Sequence, residues 1–504
     1  MFNKYKKKLN KNKNMQKAIV IGAGIGGLAS AIRMAAKGFQ VTVIEQAEKP
    51  GGKIGEFRQG AYRWDTGPSL LTLPELAREL FTLAGENPDD YLQVEQIDPI
   101  CNYFYADGTN FTAHANVEDF ASEMEKKTGE PALRILKFLD KYRRLFEIAA
   151  PVFLFNSFHK IKNFNKPEFK RTLLHLHKLD AWLTMNSRNS KWFKTLYARQ
   201  LFNRYATYNG SNPFETPATL NMIAHLEHNL GGFLPKKGMY QLVESVYQLA
   251  LKLGVTFYFN SKVTRVLYEG KLVKGVESNQ QQWLADLVIS NIDATSFYHH
   301  IMPGFKKPNA VKNKPLSSSG IIFYWGINKL SPKLGVHNIL FSENYEAEFK
   351  AIFKEKKLYS DPTIYIYISS KKIPGDAPTG SENWFVMINT PADYGQDWEQ
   401  LLAIARQRVI SKINKQFQIQ IENYIVSEHF ATPITIEQKT GSWHGSLYGN
   451  ASNGLLSAFN RHANFSRKFK NLYFVGGSVH PGGGIPLCLC SAKIVDELIG
   501  DAQN

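Results

Sequence analysis

The chain has 504 residues, with 61 lysines and arginines against 44 aspartates and glutamates, a formal net charge of +17 and 43% hydrophobic residues. That length and apolar content suffice for two or more domains with large cores, while three cysteines (Cys101, Cys488 and Cys490) exclude a disulfide framework and lack zinc-ligand spacing. No uncharged apolar run approaches the roughly 18 residues a spanning helix needs, and no solenoid repeat, zinc-finger or RNA-binding signature is present, so no nucleic-acid partner is expected.

Residues 1–14 hold six lysines and no acid. They lack the apolar core of a signal peptide, so a cytoplasmic location is expected, and a reducing cytosol fits the cysteine usage. The segment is read as a basic disordered tail, with Met15 as an alternative start, or as a contact for lipid headgroups. From Lys17 to Ile21 an apolar strand is predicted, running into Gly22, Gly24, Gly26 and Gly27 and then into a helix that ends near Lys37. A second strand, Val41–Ile44, stops at Glu45. In such a unit Gly22 allows the tight turn, Gly24 lets the backbone approach a pyrophosphate, and Gly27 lets the helix pack closely on the sheet. The helix N-terminus offers free N–H groups to the phosphates. Glu45 is placed to accept hydrogen bonds from both ribose hydroxyls and would repel the 2′-phosphate of NADP. Gly51-Gly52-Lys53 follows at once, and two glycines and a cation there suit a second phosphate or an isoalloxazine ring, which favours FAD.

Asp65-Thr66-Gly67-Pro68-Ser69 is either a further cofactor contact or a turn that holds the chain, with Asp65 capping. Amphipathic helical stretches from Pro74 to about Asp140 are interrupted by a hairpin-like segment, Cys101–Thr109. Residues 141–230 read as helical, and basic groups (Lys141, Arg143, Arg144, Lys160, Lys162) flank the apolar run Leu145–Phe155. That run suits either docking into a membrane interface or a buried helix of a substrate domain. Beyond it the sequence predicts a helix over Met239–Leu253, strands at Val255–Asn260, Val263–Tyr268, Leu272–Ser278 and Asp286–Asn291, and aromatic-rich strands at Ile321–Trp325 and Thr363–Ser369. A last strand, Asn471–Gly476, leads through Gly477 and a glycine loop (Gly482, Gly483, Gly484) into a helix from about Leu489 to Leu498. The order implies an α/β (α+β) fold. A Rossmann-like, discontinuous FAD-binding domain takes residues 15–75, 235–300 and 431–504. A mixed sheet-plus-helix substrate domain is inserted as 76–234 and 301–430.

With the terminal motif His480-Pro481-Gly482-Gly483-Gly484-Ile485-Pro486, with Ser290-Asn291-Ile292-Asp293-Ala294 and with Trp443-His444-Gly445-Ser446-Leu447-Tyr448-Gly449, the chain resembles the bacterial phytoene desaturase-type carotenoid desaturases. These are FAD enzymes of the glutathione reductase and amine oxidase fold group, and the similarity spans nearly everything after Met15. Within the group, Glu56-Phe57, Tyr62-Arg63-Trp64-Asp65 and Cys101-Asn102-Tyr103-Phe104 look most similar to flavobacterial 1′-hydroxycarotenoid 3,4-desaturases. The resemblance implies FAD contacts at Gly22, Gly24, Gly26, Gly27, Glu45, Gly51, Gly52, Lys53, Gly67, Pro68, Ser69, Val263, Gly476, Gly477, Gly483, Ile485 and Pro486, and substrate contacts at Trp443, His444 and Tyr448. Two departures stand out: Lys237-Gly238 replaces a paired glycine, and Cys488 and Cys490 stand where small apolar residues are usual.

The implied reaction is formation of a C=C bond beside a polyene, as in 3′,4′-desaturation of 1′-hydroxy-γ-carotene. A hydride passes to the flavin, the positive charge spreads over the polyene, and a weak base or water takes the proton, so no strong catalytic dyad is required. His480 is a candidate base; the alternative is a histidine bonded to backbone that shapes the turn. His299-His300 is not read as a metal pair, because adjacent side chains diverge. The competing readings are a phytoene- or lycopene-type desaturase, a redox-neutral carotene isomerase, and a polyene-binding scaffold. A water-insoluble substrate further implies peripheral attachment to the inner face of the cytoplasmic membrane, with quinone or oxygen reoxidising the flavin.

Overall fold

The computed structural model describes residues 15–502 except 176–178, 313, 455–456 and 458–459; the basic tail 1–14 lies outside the described residues. β1 (Lys17–Ile21) is buried from Ala18 to Ile21, the pattern of a parallel strand covered on both faces. It is followed by α1 (Ile25–Ala36) and β2 (Gln40–Ile44). β1 pairs in parallel with β2 on one side and with Leu287–Ser290 on the other. The resulting five-stranded sheet runs in the order Leu472–Phe474, Leu287–Ser290, β1, β2, Thr256–Tyr258. Connections leave β1 in both directions, so a crevice opens at the carboxyl end of that strand. Helix α1 is buried from Ile25 to Met34, and the helix Ile485–Leu498 packs across it in the same core.

The second sheet has seven strands in the order Ile425–Ala431, Ser319–Ile327, Glu382–Thr390, Ile364–Ile368, His337–Leu340, Cys101–Phe104, Asn110–Ala113. The last two form a hairpin whose second strand begins just beyond the predicted segment Cys101–Thr109, joined to the sheet by a parallel pairing between Cys101–Phe104 and His337–Leu340. Alternation along Ser319–Ile327 decides which way the sheet faces. Ile321, Phe323 and Trp325 pack against Val409 and Ile413 of the helix Trp398–Phe417. Ile322 and Tyr324 point the other way, into the core shared with α1.

Helices Val117–Thr128, Ala132–Phe153, Leu196–Arg204 and Met222–His228 share a third core around Phe138, Tyr142 and Phe202. In the apolar run 145–155, Leu145, Ala149, Ala150 and Val152 are buried, whereas Phe153 and Phe155 are half-buried. Among the described residues no helix is long and apolar enough to cross a membrane.

Secondary structure departs from the sequence reading at the carboxyl-terminal helix. It begins at Ile485 rather than near Leu489, with Pro486 in its first turn, because proline's fixed φ and missing N–H are tolerated there. The helix N-terminus therefore lies directly against the glycine loop.

Candidate active site

One cavity of about 1190 Å³ starts at the carboxyl end of β1 and continues between the two domains. Its nucleotide end is lined by Gly22, Gly24, Gly26, Glu45, Gly51, Gly52, Lys53, Gly67, Pro68, Ser69, Val263, Gly476, Gly477, Gly483, Ile485 and Pro486. Gly27 stands behind this surface, where a Cβ would meet the Gly22 carbonyl oxygen at 2.1 Å, so its role is close packing of α1 on the turn.

The carboxylate of Glu45 is fixed by backbone: Oε2 accepts the Ala23 amide at 2.6 Å and Oε1 the Ala47 amide at 2.8 Å. Each oxygen keeps a lone pair for a ribose hydroxyl. Asn291 is a contact that the glycine pattern did not single out. A Cβ on Gly24, Gly26 or Gly476 would come within 2.6, 2.9 or 2.4 Å of its amide group. Three of the glycines therefore make room for this side chain as well as for a phosphate, and the Ser290–Ala294 motif was the available signal.

At the inner end of the cradle Lys53 is half-buried, and desolvation holds its pKa down while the neighbouring Asp293 opposes that shift. Its Nζ donates to the carbonyl of Leu447 and, at 3.4 Å, to that of Ser446. This contact holds the segment carrying Tyr448, whose ring covers Gly483: a Cβ there would lie 2.5 Å from Tyr448 Cδ1. Burial pushes the Cys488 thiol up to about 11, so this cavity-lining sulfur stays protonated. Asp65 lies under the cradle. Its carboxylate accepts the Met239 and Tyr240 amides at 3.0 and 3.2 Å and Arg63 Nη2 at 2.7 Å, capping the helix Tyr240–Lys252. The Arg63 guanidinium fills the space beside Gly238, where a side chain would meet it at 2.5 Å.

The rest of the cavity is walled by the second sheet. Ile322, Tyr324, Phe385 and Met387 form an apolar slot, and Phe57 and Phe430 stand on the same wall. Tyr448 lines the cavity, but Trp443 and His444 do not. The Trp443 ring lies tilted against His299 at 4.0 Å, and His444, in the left-handed backbone region at φ 52°, lies against Tyr394 at 6.3 Å. His299 also lies within 2.8 Å of Lys307 Nζ. His480 is buried outside the cavity; its Nε2 bonds the Asn156 carbonyl at 2.9 Å, and burial lowers its pKa to about 3. The ring is committed to backbone and lies outside the cavity lining.

A parallel nucleotide-binding sheet, an acid at the end of its second strand and a glycine cradle opening into an apolar slot together define a flavin-dependent oxidoreductase. The cradle and the carboxylate fit FAD, which is the cofactor. Residues 25–495 match the family of flavin containing amine oxidoreductases, and the chain belongs to it. Among curated relatives, it is 45% identical over 96% of its length, and 99% of the relative's, to a 1-hydroxycarotenoid 3,4-desaturase from a Flavobacterium species. It is 31% identical to a 4,4'-diapolycopene oxygenase from a Methylomonas species, over 98% of this chain and 100% of that one. Cyclohexylamine oxidase from Brevibacterium oxydans shares the fold, with a TM-score of 0.60 at 14% identity over 96% of this chain and 98% of that chain.

Proposed function

We propose that this enzyme introduces a C=C bond beside a polyene, and that its substrate is a 1′-hydroxylated, monocyclic carotenoid such as 1′-hydroxy-γ-carotene, desaturated at the 3′,4′ bond. The observation that carries this reading is the continuity of one cavity from the glycine cradle to the apolar slot formed by Ile322, Tyr324, Phe385 and Met387. A slot of that character takes a rod-like hydrocarbon and keeps water from it. The identity to a 1-hydroxycarotenoid 3,4-desaturase supports the same substrate class.

Bound FAD supplies the hydride acceptor. The protein's own groups orient and exclude. Tyr448 covers Gly483 and forms one wall beside the cradle, and Lys53 holds that wall through the Leu447 carbonyl. The proton released on desaturation is acidified by conjugation to the polyene, so water or a weak base suffices and His480 remains a structural ring.

Peripheral membrane attachment belongs to the same proposal, on the inner face of the cytoplasmic membrane, with quinone or oxygen as final electron acceptor. Its support is the segment 160–182, in which Phe164, Leu174 and Trp182 are 53%, 76% and 71% exposed and the basic residues Lys160, Lys162, Lys166, Lys170 and Arg171 fall.

The test is anaerobic incubation of FAD-loaded protein in liposomes with 1′-hydroxy-γ-carotene and, separately, with phytoene. Flavin bleaching and product mass are followed together. Bleaching with loss of two hydrogens from the hydroxylated carotenoid alone is the expected result. Bleaching with phytoene would transfer the enzyme to the early pathway. No net mass change would favour an isomerase, and a flavin never reduced by either polyene would favour a scaffold.

A further inference from the structure

The apolar cavity has one wall that is charged and polar. Arg204, Thr207, Tyr208, Glu227, His337 and Tyr345 all line it. Arg204 and Glu227 are 8% and 1% exposed and are ion-paired at 3.0 Å. The Glu227 carboxylate also accepts the hydroxyls of Tyr205, at 2.8 Å, and Tyr208. Arg204 Nη2 reaches the Tyr103 hydroxyl at 2.9 Å, and its guanidinium lies 4.6 Å from the centre of the Tyr205 ring. Stability does not explain such a pair, since apolar residues of the same volume serve a buried site as well or better.

Several polar atoms of this wall lack partners. Arg204 Nε and His337 Nε2 are buried without a hydrogen bond. Among the described residues, Arg204 Nη1 and the Tyr345 hydroxyl donate to no protein acceptor, although both side chains line the cavity. Arg204 bonds the Tyr103 hydroxyl, the Tyr103 ring stacks on Phe341 at 5.9 Å, and Phe341 lies 5.8 Å from the Tyr345 ring, which brings Arg204 and Tyr345 into one neighbourhood on the cavity. That neighbourhood is tied to the cofactor cradle: His337 Nδ1 bonds the Tyr365 hydroxyl at 2.7 Å, and Tyr365 bonds Ser69 Oγ at 2.5 Å, next to Pro68.

We infer that Arg204, Glu227 and Tyr345 form a hydroxyl-recognition subsite that seats the alcohol end of a hydroxylated polyene beside the cradle. The inference rests on the desaturase reading above and deepens it. An alcohol has one donor and two acceptor positions. It accepts from Arg204 Nη1 and donates to the Tyr345 oxygen or the Glu227 carboxylate. The bond to be desaturated stands only a few carbons from the hydroxyl in a 1-hydroxycarotenoid, so a polar anchor close to the cradle sets the register of the whole rod. A hydrocarbon end would leave these groups desolvated and unpaired, and sites of this kind discriminate strongly.

The test compares 1′-hydroxy-γ-carotene with γ-carotene, which lacks the hydroxyl, using FAD-loaded protein in liposomes. Wild type is expected to favour the hydroxylated substrate in kcat/KM by about 100-fold or more. Tyr345→Phe removes a hydroxyl with no protein partner; it should cut that preference about tenfold while FAD content and melting temperature stay unchanged. Glu227→Gln should cut it further. Equal rates on both carotenes in wild type, or full preference kept by a folded Tyr345→Phe variant, overturns the subsite and leaves the desaturase reading intact. Desaturation of neither carotene removes both.

Discussion

The carbonyl oxygen of Gly22 occupies the position from which a side chain at Gly27 would project: a Cβ at 27 would stand 2.1 Å from it. The turn after β1 and the first turn of α1 are therefore in direct backbone contact, and that contact places the amides that we propose meet the pyrophosphate.

Gly27→Ala should push α1 off the sheet at a cost of about 1–3 kcal/mol and release FAD. The control is Gly304→Ala, since a Cβ at 304 meets nothing within 4 Å. Flavin absorbance after gel filtration, with the denaturation midpoint, reads both effects. A Gly27→Ala protein that retains stoichiometric flavin would refute the packing argument.

Glu45→Gln keeps one acceptor for the Ala23 or Ala47 amide but turns an N–H₂ group toward the other, or toward the ribose. FAD affinity should fall about tenfold, or about 1.4 kcal/mol, and further in Glu45→Ala. Fluorescence titration of apoprotein with FAD measures this. Unchanged affinity in both variants would detach Glu45 from the ribose.

Burial lowers the pKa of His228, His337 and His462 to about 4 and that of His480 to about 3. In the unfolded chain these rings protonate near 6.5, so below that pH the unfolded state takes up protons that the fold refuses. Their contribution to stability is complete above pH 6.5 and is lost as the pH falls toward about 4, by up to about 1.4 kcal/mol per pH unit for each ring. Urea unfolding at pH 7.5, 6.5 and 5.5 should show this decline, with a shallower slope in His480→Gln. Identical slopes in the two proteins would mean that His480 takes up its proton at the same pH in the folded and the unfolded chain.

Flotation with anionic liposomes should weaken in a Phe164→Asp, Leu174→Asp double variant and less in Phe153→Asp, Phe155→Asp, because Phe153 and Phe155 are half-buried. Raised salt should weaken the wild type too, through the flanking lysines. If all three proteins float alike at low and high salt, the membrane surface lies elsewhere.

The sequence by itself determined the nucleotide end. The spacing of Gly22, Gly24 and Gly27 and the acid at Glu45 act through local backbone geometry, which a short stretch of chain specifies alone. The slot and its polar wall were decided by tertiary structure. Ile322 and Tyr324 face the cavity while Ile321 and Phe323 face the helix Trp398–Phe417, and nothing local says which side of that doubly buried strand holds substrate. Trp443 and His444 share a motif with Tyr448, yet only Tyr448 lines the cavity. Arg204, Glu227 and Tyr345 come from three different helices and His337 from a strand. As a single sequence they are ordinary charged and aromatic residues. Only the folded chain brings them onto one cavity wall.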